Sequence, residues 1–235
     1  MPRDWLAGVV AVIVALAAFE WARLCRLGEH ARLYAAAAVT AYLILFHASV
    51  ERAVFAAGAA YWLLVAVPWL LRGVLPSHAP ALAVAGFFVL IPTGLAMVSL
   101  RPAEVLLVLG LVSTADTAAY FAGRAWGRHK LAPAISPGKS WEGAAAGLAA
   151  GLAYAIICAA IFHAAAWAPY LGAAALLVVM SIFGDLFESA AKRQAAVKDS
   201  GSLLPGHGGV LDRIDSATAS LPLAALLWPF LERIK

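Results

Sequence analysis

Four acids stand where an apolar chain has least reason to carry them. Asp116 lies in STADTAAYFAGR, Asp185 in SIFGDLFES, and Asp212 and Asp215 in VLDRID, each at or inside a long hydrophobic stretch. Placing a carboxylate near a bilayer centre costs on the order of 3 kcal/mol, so such acids normally face a polar cavity and mark function. Glu188, Ser189 and Lys192 follow Asp185 at i+3, i+4 and i+7 and share one helical face with it. Asp212 and Asp215, at i and i+3, project together at the mouth of the last span. With Asp185 they offer three hard oxygen ligands, which suit Mg²⁺. Scattered histidines and unpaired cysteines argue against zinc. The bland alternatives are an ion-paired helix end for Asp185 and helix capping for Asp212 and Asp215.

Basic, glycine-containing segments accompany these acids. The 27 residues Ser189–Asp215 hold Lys192, Arg193, Lys198, Asp199, His207, Asp212, Arg213 and Asp215, with Gly208 and Gly209 beside the histidine. Glycines let backbone N–H groups approach an anion, and His207 could donate to a phosphate or shuttle a proton. A second polar loop, 124–140, ends in Ser136-Pro137-Gly138-Lys139-Ser140. It is not a Walker A loop, because Pro133 stands where the first glycine belongs and no strand is expected before it. A Gly-Lys-Ser segment entering a helix still makes an anion cradle. Acids beside Lys, Arg and glycine form the chemistry of a phosphate site, where a metal ion and fixed cations offset developing charge.

The elements that must position these groups are membrane helices. Of the 235 residues, 64% are hydrophobic and 13% charged, against roughly 25% charged in soluble domains. The mean hydropathy is +0.87. Recurrent apolar runs imply an all-α, polytopic integral-membrane bundle of about eight transmembrane helices, near 5–22, 33–48, 53–71, 79–99, 103–123, 141–163, 169–187 and 216–232. The chain reads as one membrane-embedded domain, 1–235, with N-terminal helices in 1–100 and a catalytic half in 101–235. Pro68, Pro92, Pro222 and Pro229 fall inside spans, which requires neighbours to re-satisfy the freed carbonyls. Twelve of the seventeen Lys and Arg residues fall on the side of both long polar loops. That bias places the polar site at the cytoplasmic face and the N-terminus outside. The net charge of +4 is dispersed and gives no case for nucleic acid. Cys25 and Cys158 read as small hydrophobes, and Gly143–Gly151 as a close-packing face.

At these residues the sequence resembles the phosphatidate cytidylyltransferases (CDP-diacylglycerol synthases). Their signature is S-x-[apolar]-K-R-x4-K-D-x-[small]-x2-[apolar]-P-x-H-G-G-[apolar]-x-D-R-[apolar]-D. Ser189, Lys192-Arg193, Lys198-Asp199, Gly201, Leu204-Pro205, His207-Gly208-Gly209, Val210, Asp212-Arg213, Ile214 and Asp215 match it. Ala191 stands where a larger aliphatic residue is usual. A second block, Asp116–Phe121, Gly123-Arg124, His129–Pro133 and Ile135–Gly143, is also similar, with Ala118 for a frequent Gly and Ser140 for a frequent Thr. The likeness is strong over about 105–220. Family members generally begin with a further hydrophobic helix. Glu20-Trp21 suggests that this chain starts just before the counterpart of their second, which would account for the outside N-terminus.

The resemblance implies that CTP and phosphatidate give CDP-diacylglycerol and pyrophosphate, a step of phospholipid biosynthesis, at a bacterial inner membrane. It implies Asp185, Asp212 and Asp215 as ligands of Mg²⁺, with a second cation open. Lys192, Arg193 and Lys198 would contact triphosphate or lipid phosphate, Asp199 would orient Lys198 or hold the second cation, and His207 belongs with the catalytic set. Ser136, Gly138, Lys139, Gly208, Gly209 and Arg213 would complete the substrate cradle, with Asp116 behind them. The expected partners are CTP, phosphatidate and the bilayer; a homodimer is left open. The alternatives are another CTP-using lipid transferase, such as a polyprenol-kinase-like enzyme, or a transporter. The lack of an internal repeat weighs against the last.

Overall fold

With no water to satisfy them, backbone N–H and C=O groups in lipid must pair within their own segment, so the apolar runs of this chain fold as helices. The computed structural model describes residues 3–162, 167–201, 203 and 208–233. In chain order these form α1 (Arg3–Leu24), α2 (Ala31–His47), α3 (Glu51–Ala60), a π-helical stretch (Tyr61–Ala66), α4 (Val67–Arg72), α5 (Ala79–Ser99), α6 (Pro102–Trp126), β1 (Lys130–Ala132), β2 (Ser136–Ser140), α7 (Trp141–Ile161), α8 (Trp167–Gln194) and α9 (Leu211–Arg233). From α3 to α4 the chain runs as one helix, Glu51–Arg72.

Seven helices among the described residues are long and apolar enough to cross a membrane. The eighth expected span, 33–48, appears as α2, whose 17 residues make it the shortest of the set. Helix α8 runs on to Gln194, past the expected end at 187. Glu188, Ser189 and Lys192 therefore do lie on the helix of Asp185. Leu64, Leu71, Leu106 and Ile161 are exposed on outward faces, as lipid contact requires.

Side chains near the site are held by an aromatic clamp. Phe187, two residues after Asp185, is 1% exposed and meets Trp21 of α1, Trp62 of the π-helical stretch and Trp69 of α4, at centroid distances of 6.2, 5.6 and 5.8 Å. At the end of α8, Gln194 Nε2 donates to the Leu24 carbonyl at 2.7 Å, and Arg26 donates to the Gln194 carbonyl at 2.8 Å. The polar end of α8 is thus tied to the end of α1.

Proline tolerance has a visible basis at Pro222. Its ring frees the carbonyl four residues earlier, that of Thr218. Trp62 Nε1 donates to that oxygen at 3.2 Å and Thr93 Oγ1 at 3.1 Å. Helix α9 packs on α3 and α5 as well as on α6 and α8, so the helices before and after residue 100 share one core.

Close approach of backbones sets the other contacts. A Cβ on Gly147 of α7 would lie 2.8 Å from the Ala115 carbonyl oxygen of α6, and one on Gly184 of α8 would lie 2.6 Å from that of Asp215 in α9. The small-residue face 143–151 is therefore a packing face, as its composition implies. Gly147→Val is expected to destabilise the protein by about 1–3 kcal/mol through overpacking. Thermal unfolding in detergent measures this, and an unshifted midpoint would refute the close approach.

Among the described residues, the sheet that departs from an all-helical reading is a short hairpin. β1 and β2 pair antiparallel, Lys130 with Ser140 and Ala132 with Ser136, with a bulge between. Glu142, in the first turn of α7, accepts from the His129 N–H at 3.2 Å and meets His129 Nδ1 at 2.6 Å. Ser140 caps α7 by accepting from the Gly143 N–H at 3.1 Å. These three local contacts stand the hairpin on the start of α7.

Candidate active site

A cavity of about 710 Å³ is bounded by α6, the hairpin, α7, α8 and α9. Three acids line it from three helices: Asp116 of α6, Asp185 of α8 and Asp215 of α9. Ser136, Gly138 and Lys139 of β2 line it too, with Tyr120 and Arg124 of α6 and Lys130 of β1. Lys139 Nζ lies 2.6 Å from Asp185 Oδ2, both groups about a quarter exposed. Ser189 Oγ donates to Asp185 Oδ1 at 3.2 Å, and Ser216 Oγ donates to Asp116 Oδ2 at 3.0 Å. The Gly184 contact presses α8 onto α9 and so sets Asp185 and Asp215 on adjoining walls.

The expected trio Asp185, Asp212 and Asp215 divides. Asp212 does not line the cavity. Its Oδ1 accepts from Lys192 Nζ at 2.7 Å. Its Oδ2 accepts from the N–H groups of Ser200 and Gly209 at 3.0 and 2.8 Å and from Ser200 Oγ at 2.9 Å. The reason is local. Asp212 sits in the first turn of α9 and folds back over the segment that precedes the helix, accepting from its Ser200 and Gly209 amides. Asp215, one turn later, has its side chain left for the cavity. The face drawn through Asp185, Glu188, Ser189 and Lys192 divides likewise into two i,i+4 pairs: Asp185 with Ser189 at the cavity, and Glu188 with Lys192 away from it.

Glu188 is 3% exposed, with Lys192 Nζ 3.1 Å from Oε1. The contact is an ion pair, and among the described residues no group donates a well-directed hydrogen bond to either carboxylate oxygen. Lys192 thus serves two buried acids, Glu188 and Asp212, and does not reach the cavity wall.

Other expected cradle residues also lie elsewhere. Arg193 donates to the carbonyls of Ile135 and Val197, both at 3.2 Å, bracing the hairpin against the end of α8. Lys198 is exposed, and Asp199 lines a separate cavity of about 210 Å³ with Arg23. Arg213 is exposed at the start of α9. Gly208 adopts φ +82°, and a Cβ there would lie 2.6 Å from Asp212 Oδ2. The N–H of Gly209 is spent on Asp212. These two glycines, expected in the substrate cradle, close over protein carboxylates here. His207 lies outside the described residues, as do Leu204 and Pro205.

One important group escaped sequence reasoning. Glu20 of α1, 5% exposed, accepts from the N–H groups of Val210 and Leu211 at 3.1 and 2.9 Å and from Ser200 Oγ at 3.0 Å. The signal existed: it is an acid in an apolar span, like Asp116. It lies some 190 residues from the motif it binds. Cys25, by contrast, needs no chemical role. Burial pushes its thiol up to about 12, so it stays a neutral hydrophobe.

A membrane helical bundle with an acid-, lysine- and glycine-lined cavity at one polar end defines a membrane enzyme of phosphate chemistry. A family model described as the cytidylyltransferase family matches residues 1–231, and the chain belongs to that family. It is 43% identical over 234 residues to a phosphatidate cytidylyltransferase of Pseudomonas aeruginosa, covering 93% of this chain and 86% of that protein. It is 46% identical over 130 residues to the enzyme of the same name from Haemophilus influenzae, covering 53% of this chain and 45% of that protein. For that of Thermotoga maritima the figures are 38% over 138 residues, 56% and 51%. These last two matches span about half the length of those relatives.

Proposed function

We propose that this membrane enzyme joins CTP and phosphatidate into CDP-diacylglycerol, releasing pyrophosphate, in the cavity lined by Asp116, Asp185, Asp215 and Lys139. The observation that carries the reading is the convergence of these groups beside Gly138 in a member of the cytidylyltransferase family. A phosphate oxygen of phosphatidate attacks the α-phosphorus of CTP, and the bond to the leaving pyrophosphate breaks in line. The attacking oxygen is already anionic near neutral pH, so no strong general base is needed. Positioning and charge neutralisation are the task.

Mg²⁺ fits the residues present. No three His, Cys, Asp or Glu side chains among the described residues form a ready-made metal cage. Mg²⁺ asks for less: one or two carboxylates together with substrate phosphates. Asp185 and Asp215 would hold it, with Asp116 beside them. When bound, Mg²⁺ neutralises the triphosphate and lowers its repulsion toward the attacking phosphate. Lys139, held by Asp185 at 2.6 Å, is the cation positioned for the triphosphate. Arg124 and Lys130 on the cavity wall are positioned for the lipid phosphate. Tyr120 OH, which accepts from Arg124 at 3.2 Å, fixes that arginine.

The excess of Lys and Arg at the cavity's end of the bundle supports a cytoplasmic site in the bacterial inner membrane. A homodimer is compatible with this site. The test is purified protein with labelled CTP, phosphatidate and Mg²⁺. The expected products are CDP-diacylglycerol and pyrophosphate, with turnover lost under EDTA and restored by Mg²⁺. Release of CDP with a phosphorylated lipid would instead establish a kinase.

A further inference from the structure

We infer that Glu20 of α1 is a positioning residue for cytidylyl transfer, acting through the N-terminus of α9; this rests on the function proposed above. Its carboxylate takes up two amide hydrogens, of Val210 and Leu211, that no helical carbonyl can accept. It shares the Ser200 hydroxyl with Asp212, at 3.0 and 2.9 Å. The fit is close. A Cβ on Gly201 would overlap Glu20 Oε1, and one on Gly209 would overlap both Glu20 Oε2 and Ser200 Oγ. The small residues of the signature segment therefore admit an internal anion, the carboxylate of a helix far away in sequence. Asp215 follows Leu211 by one turn, and Asp212 lies between them. Whatever holds the first turn of α9 holds Asp215 against Asp185.

An amide cannot replace this carboxylate, because its NH₂ would face N–H donors. Glu20→Gln is expected to speed amide exchange at Val210 and Leu211 about tenfold, and to raise the half-saturating CTP and Mg²⁺ concentrations by a similar factor. Half-saturation does not depend on the active fraction, so a loss of folded protein alone would not move it. Glu51→Gln, at the outer Arg3 ion pair (2.7 Å), is the matched control and should change neither readout. If Glu20→Gln does not accumulate, Glu20→Asp, which keeps the charge but loses reach, carries the same two measurements. Unchanged exchange together with unchanged half-saturation would overturn the role. If the unmodified protein made no CDP-diacylglycerol, the cytidylyl-transfer reading would fail by itself, and exchange in the variant would still decide what Glu20 holds.

Discussion

Asp215→Asn is expected to slow CDP-diacylglycerol formation by about 10³-fold while leaving the fold as stable as before or more so. The two effects have one cause. Asp215 shares its cavity with Asp116 and Asp185, and Lys139, the cation paired there, is bound to Asp185. Without substrate, removing one of three neighbouring acids relieves their mutual repulsion. With substrate, the same change removes a hard oxygen ligand from the place where Mg²⁺ and the triphosphate must be held. Loss of activity with gain of stability is the pattern of a group kept for function. Thermal unfolding and turnover are measured on one preparation. Turnover within threefold of the unsubstituted protein would remove Asp215 from the site.

Asp212→Asn should also abolish turnover, but with a lower unfolding temperature. Asp212 and Lys192 are 11% and 12% exposed in their side chains. Breaking a buried ion pair from one side typically costs about 3–5 kcal/mol. The loss here falls at the lower end, because Lys192 keeps Glu188 as a counter-ion at 3.1 Å. An Asn amide would also turn a donor toward the N–H of Ser200 or Gly209, or toward Lys192. The paired variant Asp212→Asn with Lys192→Met removes the stranded cation and should recover part of the lost stability but none of the activity. Recovery of turnover in that double variant would show that Asp212 acts only as Lys192's counter-ion.

The contrast between these two aspartates shows how far the sequence is legible. Both belong to one signature, three residues apart, and helical periodicity puts them on one side of α9. What periodicity omits is the end effect. Asp212, at the start of α9, turns back to Lys192 and to the amides of Ser200 and Gly209 in the segment before the helix, and those captured it. Asp116 fared the other way, for its place behind the substrate groups became a place on the cavity wall. The segment 136–140 was legible as an anion-binding approach to a helix but not as a strand, because Pro137 and Gly138 disfavour a ladder that contacts from outside it support: His129 with Glu142, and Arg193 with the Ile135 carbonyl.

Composition and hydropathy determined the class of this protein by themselves. Runs of apolar residues in lipid have only the helix available, so their number and rough limits follow from local chemistry. The residue types for phosphate and metal chemistry were equally plain, since charge is costly there and is kept for use. Only the tertiary structure decided which of those charges face one another. That choice depends on how each helix is rotated against its neighbours, and here the rotation is set by distant contacts: Gly184 against the Asp215 carbonyl, Phe187 among three tryptophans, and Glu20 on the amides of Val210 and Leu211. No local pattern encodes a bond between residues 20 and 211, because its energy exists only once α1 and α9 are packed together.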